Sequence, residues 1–123
     1  MLGADAIIAF VSTVDLERAR AFYEGTLGLT VEEANDFACV LRGGGTMLRV
    51  TKVDSFTPQP FTILGWQVAD IGVTATALRD LGVDSLRYDF MEQDEVGIWT
   101  APSGGRILWF RDPDGNTLSL TQF

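Results

Sequence analysis

Histidine is absent from the 123 residues, and that absence restricts the chemistry more than anything else in the composition. No imidazole is available as a general base or as a metal ligand. A divalent metal would have to sit on oxygen ligands alone, which suits magnesium or calcium better than zinc, iron or nickel. Ser12 and Ser119, which would otherwise be candidate nucleophiles, have no imidazole to activate them. Cysteine is nearly absent too. Cys39 stands alone, so it forms no internal disulfide and no thiolate cluster, and a reducing cytoplasm is the expected setting. Basic residues are scarce, nine against seventeen acidic ones, giving a net charge of −8. Such a surface repels phosphate backbones, so no nucleic-acid partner is expected. It would attract a cationic small molecule, although the default reading of such a charge is that it only keeps the protein soluble. No apolar run approaches the roughly 20 residues of a membrane span, so no membrane association is expected. Met1-Leu2-Gly3-Ala4-Asp5 lacks the basic region of a secretory leader. The glycine runs at 43–45 and 104–105 precede no helix at phosphate-loop spacing and read as turns.

What is present centres on the C-terminal stretch from Trp109 to Leu120. Asp112-Pro113-Asp114-Gly115 has the chemistry of a tight turn: a carboxylate to bond back to the backbone, a proline to set φ, and a glycine for the left-handed position. Ile107 to Phe110 enters it as an apolar strand. Leu118 and Leu120 leave it on one face, and Thr117, Ser119 and Thr121 on the other.

Upstream, residues 6–14 read as a β-branched strand. Asp15 caps a helix with Leu16, Ala19, Phe22 or Tyr23, and Leu27 inward, and Gly28 ends it. Strands are expected at 30–35, 37–42 and 46–53. Residues 54–61, with two prolines, form an extended connector. The scheme then repeats. Phe61 to Val68 is a strand, and Asp70 caps a helix with Ile71, Thr74, Leu78 and Leu81 inward, ended by Gly82. Further strands are expected at 84–90, 96–101, 106–111 and 116–122.

The halves overlay, Asp15 on Asp70 and Gly45 on Gly115, as a repeated strand-helix-three-strand unit. The predicted class is α+β: one domain over 1–123, with a first βαβββ module at about 5–53, a linker at 54–61 and a second module at about 62–123. Neither half is large enough to bury a sheet face alone. The two are expected to close a curved mixed sheet around a cleft, with helices on the convex side. The cleft lining would be Ile8, Phe10 and Ser12; Met47, Arg49 and Thr51; Ile63, Gly65 and Gln67; Thr117, Ser119 and Thr121.

Two segments carry a family resemblance. Asp-Leu-Glu-Arg-Ala-Arg-Ala-Phe-Tyr-Glu-Gly-Thr-Leu-Gly-Leu at 15–29 and Asp-Pro-Asp-Gly-Asn at 112–116 resemble the glyoxalase/bleomycin-resistance/dioxygenase superfamily, also called the vicinal oxygen chelate superfamily. The likeness extends over essentially the whole chain, since a duplicated βαβββ unit is that superfamily's architecture. Its enzymes carry metal ligands on the first strand of each half, usually His or Gln, and on the last strand, usually Glu. Here those places fall on Ile8, on Ile63 (Leu64 if the frame slips by one), on Arg49 and on Ser119. None is a competent ligand, so no metal and no cofactor are expected. What remains resembles the ligand-sequestering branch of bleomycin- and mitomycin-resistance proteins, which hold a drug without chemistry and commonly pair as homodimers. The expected function is binding of a small organic molecule, of the cationic aromatic kind, in a metal-free cleft. The alternative is a lyase or isomerase acting on a small carbonyl compound without the usual metal. A third reading is a partner-binding module with a vestigial cleft.

The ligand-binding candidates are Phe10, Ser12, Arg49, Gln67, Trp99, Trp109 and Ser119. Trp66 is out of phase with the lining set and is expected under a helix, whereas Trp99 and Trp109 sit on neighbouring strands and either fill the core or wall a ligand. Arg49 either pairs with Glu32, Glu33 or Glu95, or clamps a ligand carboxylate or phenolate with its planar fork. Glu92-Gln93-Asp94-Glu95 is either a solvated loop or a negative lip that draws cations or supplies a base. Tyr23 and Tyr88 are available as acids, but nothing in the sequence distinguishes them.

Overall fold

Strand propensity and helix capping alternate in the order the periodicity implies. In a computed structural model describing residues 1–123, the elements are β1 (Ile8–Thr13), α1 (Leu16–Arg20), β2 (Thr30–Ala34), β3 (Ala38–Gly43) and β4 (Thr46–Lys52). They are followed by β5 (Thr62–Gln67), α2 (Ile71–Asp80), β6 (Trp99–Thr100), β7 (Arg106–Arg111) and β8 (Thr117–Gln122). The architecture is α+β, with two βαβββ modules. Contacts gather the chain into two compact units, Met1–Thr57 and Pro58–Phe123. Each holds one four-stranded mixed sheet, ordered β1-β4-β3-β2 in the first and β5-β8-β7-β6 in the second. No helix is long and apolar enough to cross a membrane.

In the first unit the parallel β1–β4 pair matches Ala9 with Leu48 and Val11 with Val50, and antiparallel β3 adds Leu41 and Cys39 in the same rows. These side chains, nearly all buried, form the face on which α1 packs. Asp15 accepts from Arg18 N at 3.1 Å through Oδ1, the capping contact its position implies. After Arg20 the helix does not stay α. Ala21–Thr26 is a π-helix, with Leu27 N bonded to Phe22 O at 2.9 Å. The wider turn lets two successive aromatic residues face inward, so Phe22 and Tyr23 are both buried, edge to face at 5.2 Å.

The second unit repeats this logic. Leu64 and Trp66 of β5 lie in rows with Leu118 and Leu120 of β8 and with Phe110 and Leu108 of β7, beneath α2. Trp66 stacks on Phe110 at 6.2 Å, which places it on the helix side as its phase implied. Asp70 caps α2 through Val73 N at 3.1 Å. The far end is a Schellman closure, Val83 N to Leu78 O at 2.9 Å and Gly82 N to Arg79 O at 3.0 Å, with Gly82 at φ 85°. Leu81 does not face inward. It is exposed, and Ala75 takes its place between Ile71 and Leu78, because the last turn has already begun to unwind into the closure.

Two strand expectations in this unit need correction. Residues 84–90 form no strand: only Leu86 N reaches the neighbouring ladder, at Trp109 O, 2.7 Å away. The strand expected at 96–101 is reduced to Trp99–Thr100, because the segment before it is committed to a tightly bonded loop.

Candidate functional site

In each sheet, the face away from its helix carries the lining set that the alternation implies, except that Ile63 falls at a register shift between Thr62 and Leu64 and has no paired residue on β8. Phe10 pairs in register with Arg49, Ser12 with Thr51 and Ile8 with Met47, so these three rows cross the parallel β1–β4 seam of the first sheet. In the second sheet Ser119 sits between Gly65 and Trp109, while Gln67, Thr121, Ile107 and Trp99 form the next row. Thus Phe10, Ser12 and Arg49 share one face in the first unit, and Gln67, Trp99, Trp109 and Ser119 share one face in the second. Gly65 leaves room for the Ser119 hydroxyl: a Cβ there would lie 2.9 Å from Ser119 Oγ, which would have to rotate away.

The most developed surface belongs to the second unit. Trp99 and Trp109 are partly exposed on that face, with ring centroids 6.1 Å apart and planes at 38°. Tyr88 meets Trp109 edge to face at 5.6 Å, and Phe90 lies 5.4 Å beyond Tyr88. Four rings therefore form one continuous apolar surface. Phe90 remains 80% exposed, so the wall ends in solvent rather than in the core. Beside it opens a hollow of about 780 Å³ lined by Phe90, Met91, Glu92, Asp94, Trp99 and Thr100.

The loop that delivers Tyr88 and Phe90 is held from within by Gln93. Its Nε2 donates to Leu86 O at 2.8 Å and Gly97 O at 2.9 Å, and its Oε1 accepts from Tyr88 N at 2.8 Å. Asp94 Oδ1 accepts from Val96 N at 3.0 Å and Ile98 N at 2.9 Å. Arg87 donates to the carbonyls of Asp94 and Glu95. Residues 92–95 are therefore not a loose solvated run. Two of the four are structural, and exposed Glu92 and Glu95 are left to supply negative charge. Tyr88, Phe90 and Gln93 are not among the ligand-binding candidates that the sequence offers. The only available signal was the alternation Leu86, Tyr88, Phe90, which reads as strand.

Arg49 is half-buried in the middle of the first sheet and forms no ion pair. The expected pairing with Glu32 is corrected: Glu32 is bonded by Arg42. The register slip between Val31 and Glu33 allows this, placing Glu32 at a bulge beside β3. Glu95 accepts from Arg87 through its backbone carbonyl.

The positions where the superfamily's metal ligands would fall can be tested on their chemistry. Ile8 and Ile63 offer hydrocarbon, Arg49 a cation without a lone pair, and buried Ser119 a neutral hydroxyl. No three His, Cys, Asp or Glu side chains gather as a metal-holding group anywhere in the chain. These residues do not fit a transition metal. Cys39 does not compensate: it is 2% exposed, and burial pushes its thiol above the ordinary range. In native protein a disulfide-exchange reagent is therefore expected to leave Cys39 unmodified for hours and to titrate one thiol at once in denaturant. Rapid native reaction would show that the first sheet opens locally.

Against known sequences, the description "Glyoxalase/Bleomycin resistance protein/Dioxygenase superfamily" matches residues 6–120, nearly the whole chain. The protein belongs to this superfamily. Solved structures of other superfamily members share its fold. A glyoxalase family protein from Bacillus anthracis is 18% identical, with a TM-score of 0.77 over 95% of this chain and 93% of that one. A lactoylglutathione lyase from Agrobacterium tumefaciens is 19% identical, with a TM-score of 0.75 over 98% and 95%. A superfamily member from Sphaerobacter thermophilus is 24% identical, with a TM-score of 0.76 over the full length of both chains. At these identities the likeness is one of fold. No curated protein matches the chain significantly.

Proposed function

We propose that this glyoxalase-superfamily protein binds and sequesters a flat, cationic aromatic molecule, in the manner of an antibiotic-resistance protein and without a transition metal. The observation that carries the reading is the four-ring surface of Trp99, Trp109, Tyr88 and Phe90 beside a hollow edged by Glu92. Aromatic rings attract a flat cation through dispersion and through the negative faces of their π-systems. Each such contact contributes about 0.5–2 kcal/mol, depending on how far the cation is desolvated. The net charge of −8 adds long-range attraction of the same sign. The exposed ring edges are preformed, held by the Gln93 and Asp94 bonds, so little ordering cost falls on binding.

Calorimetric titration with proflavine, a planar cation, against acridine, a similar ring system that is neutral at pH 7.5, tests this. Proflavine is expected to bind saturably and at least tenfold more tightly than acridine. Trp109→Ala and Trp99→Ala are each expected to weaken proflavine at least tenfold. Equal affinity for the two probes, or no saturation by proflavine, would remove the proposal. So would a stoichiometric transition metal in the purified protein. Gel filtration addresses the associated proposal, that the protein is a homodimer.

A further inference from the structure

We propose that Arg49 is the head of a carboxylate-binding subsite on the helix-free face of the first sheet. It would take a small organic acid whose apolar body lies over Phe10, Ile8 and Met47. Arg49 stands on β4, an inner strand of its sheet, with β1 on one side and β3 on the other. Its row reads Phe10, Arg49, Val40, with Glu33 beyond on the edge strand, and Glu33 makes no ion pair with it.

Other arginines show how this chain treats a guanidinium that it uses for structure. Arg20 is bonded to Glu24 at 3.1 Å, Arg42 holds Glu32, and Arg87 ties two carbonyls. Arg49 has none of these partners although it is less exposed than Arg20, Arg42 and Arg87, a condition it shares with Arg106 at the start of β7. A partly desolvated, unpaired cation is a cost to the fold, and an arriving anion would relieve it.

The surroundings select among anions. In register with Arg49 and in the row beside it are Phe10, 63% exposed, Ile8, 46% exposed, and half-buried Met47. Such exposed apolar side chains flanking a cation suit a ligand with one charged end and one apolar end. A planar guanidinium fork matches a carboxylate with two parallel hydrogen bonds. A phosphate would leave further oxygens over Phe10, which donates nothing. The site therefore favours an aryl or alkyl carboxylate. It holds a built-in cation at the place where the superfamily's enzymes carry an anionic metal ligand, so the local charge is inverted.

Benzoate is the probe, with benzamide as its neutral counterpart, read by heteronuclear NMR on the full chain. Benzoate is expected to saturate and to shift the amides of Phe10, Val40 and Arg49. Benzamide should bind at least tenfold more weakly. Arg49→Met, which keeps the apolar stem, should lose at least tenfold in benzoate affinity, and Arg49→Lys should fall between the two. Both variants should keep the parental melting temperature within about 2 °C. Unchanged benzoate binding in Arg49→Met, equal binding of benzamide, or absence of saturation would each overturn the proposal. Marked loss of stability in both variants would also overturn it, by showing that Arg49 is structural. Proflavine and benzoate are titrated separately on the parent protein, so failure of one reading is distinguishable from failure of the other.

Discussion

Gly97→Ala is expected to lose about 3–5 kcal/mol of stability, a fall in melting temperature of roughly 10–20 °C for a chain of this size, and with it most proflavine binding. Two penalties add. Gly97 sits at φ 98°, a conformation that an L side chain adopts only under strain. An added Cβ would also stand 2.1 Å from Ser85 Oγ and 2.5 Å from Ser85 Cβ. The hydroxyl could rotate away. The Ser85 Cβ is fixed to its backbone and cannot, so the segment at 84–86 would have to move. Leu86 is bonded to Trp109 O on one side, and its carbonyl accepts from Gln93 on the other. Displacing it would loosen the same three Gln93 bonds that hold Tyr88 against Trp109. A double variant, Ser85→Gly with Gly97→Ala, removes the steric clash but not the strained φ. It should recover about half of the loss, measured by denaturant unfolding, and should regain proflavine affinity. If Gly97→Ala melts with the parent, the close approach of the two backbones is not what holds the aromatic wall.

This loop also marks where sequence reading ends. Asp15 and Asp70 cap helices, Gly82 closes one, and Asp112 to Gly115 turns the chain, because each is decided by residues within a few positions of one another. The open-face sets in each sheet were legible for a similar reason: period-two alternation survives any pairing that keeps the register, and the slip between Thr62 and Leu64 takes only Ile63 out of its row. Leu86, Tyr88 and Phe90 alternate as a strand does, yet a strand needs a partner ladder, and here a single bond to Trp109 replaces it. Their side chains are organised by rings and by Gln93, neither of which leaves a periodic trace. Glu32 illustrates a subtler limit. Pairing by charge gave several candidates for Arg49, and a one-residue bulge at Val31/Glu33 decided that Glu32 would serve Arg42. The pairing of Glu32 thus follows from a register detail that composition does not contain.

Asp112→Ala is the second large effect expected, about 3–5 kcal/mol by denaturant unfolding. Asp112 is 5% exposed, and its carboxylate accepts from Asp114 N at 3.0 Å, Asn116 N at 2.9 Å and Asn116 Nδ2 at 2.8 Å. Alanine would strand these donors, and Asn116 is itself 3% exposed. An unmatched buried donor costs about 1–3 kcal/mol, less where water can enter at the turn. The same turn sets the register of β7 against β8, in which Trp109 faces Ser119 and Phe110 faces Leu118. A loosened turn would therefore weaken the second sheet at its inner pair rather than at an edge. Asp112→Asn separates the roles of shape and acceptor. Its carbonyl oxygen can still serve the two backbone amides, but its amide group opposes the Asn116 donor unless the Asn116 side chain flips to present oxygen. It should retain about half of the stability lost in alanine, with an unchanged denaturant slope if the sheet still unfolds as one unit. An Asp112→Ala protein as stable as the parent would mean that water replaces the carboxylate fully, and that the β7–β8 register is held by its side-chain rows alone.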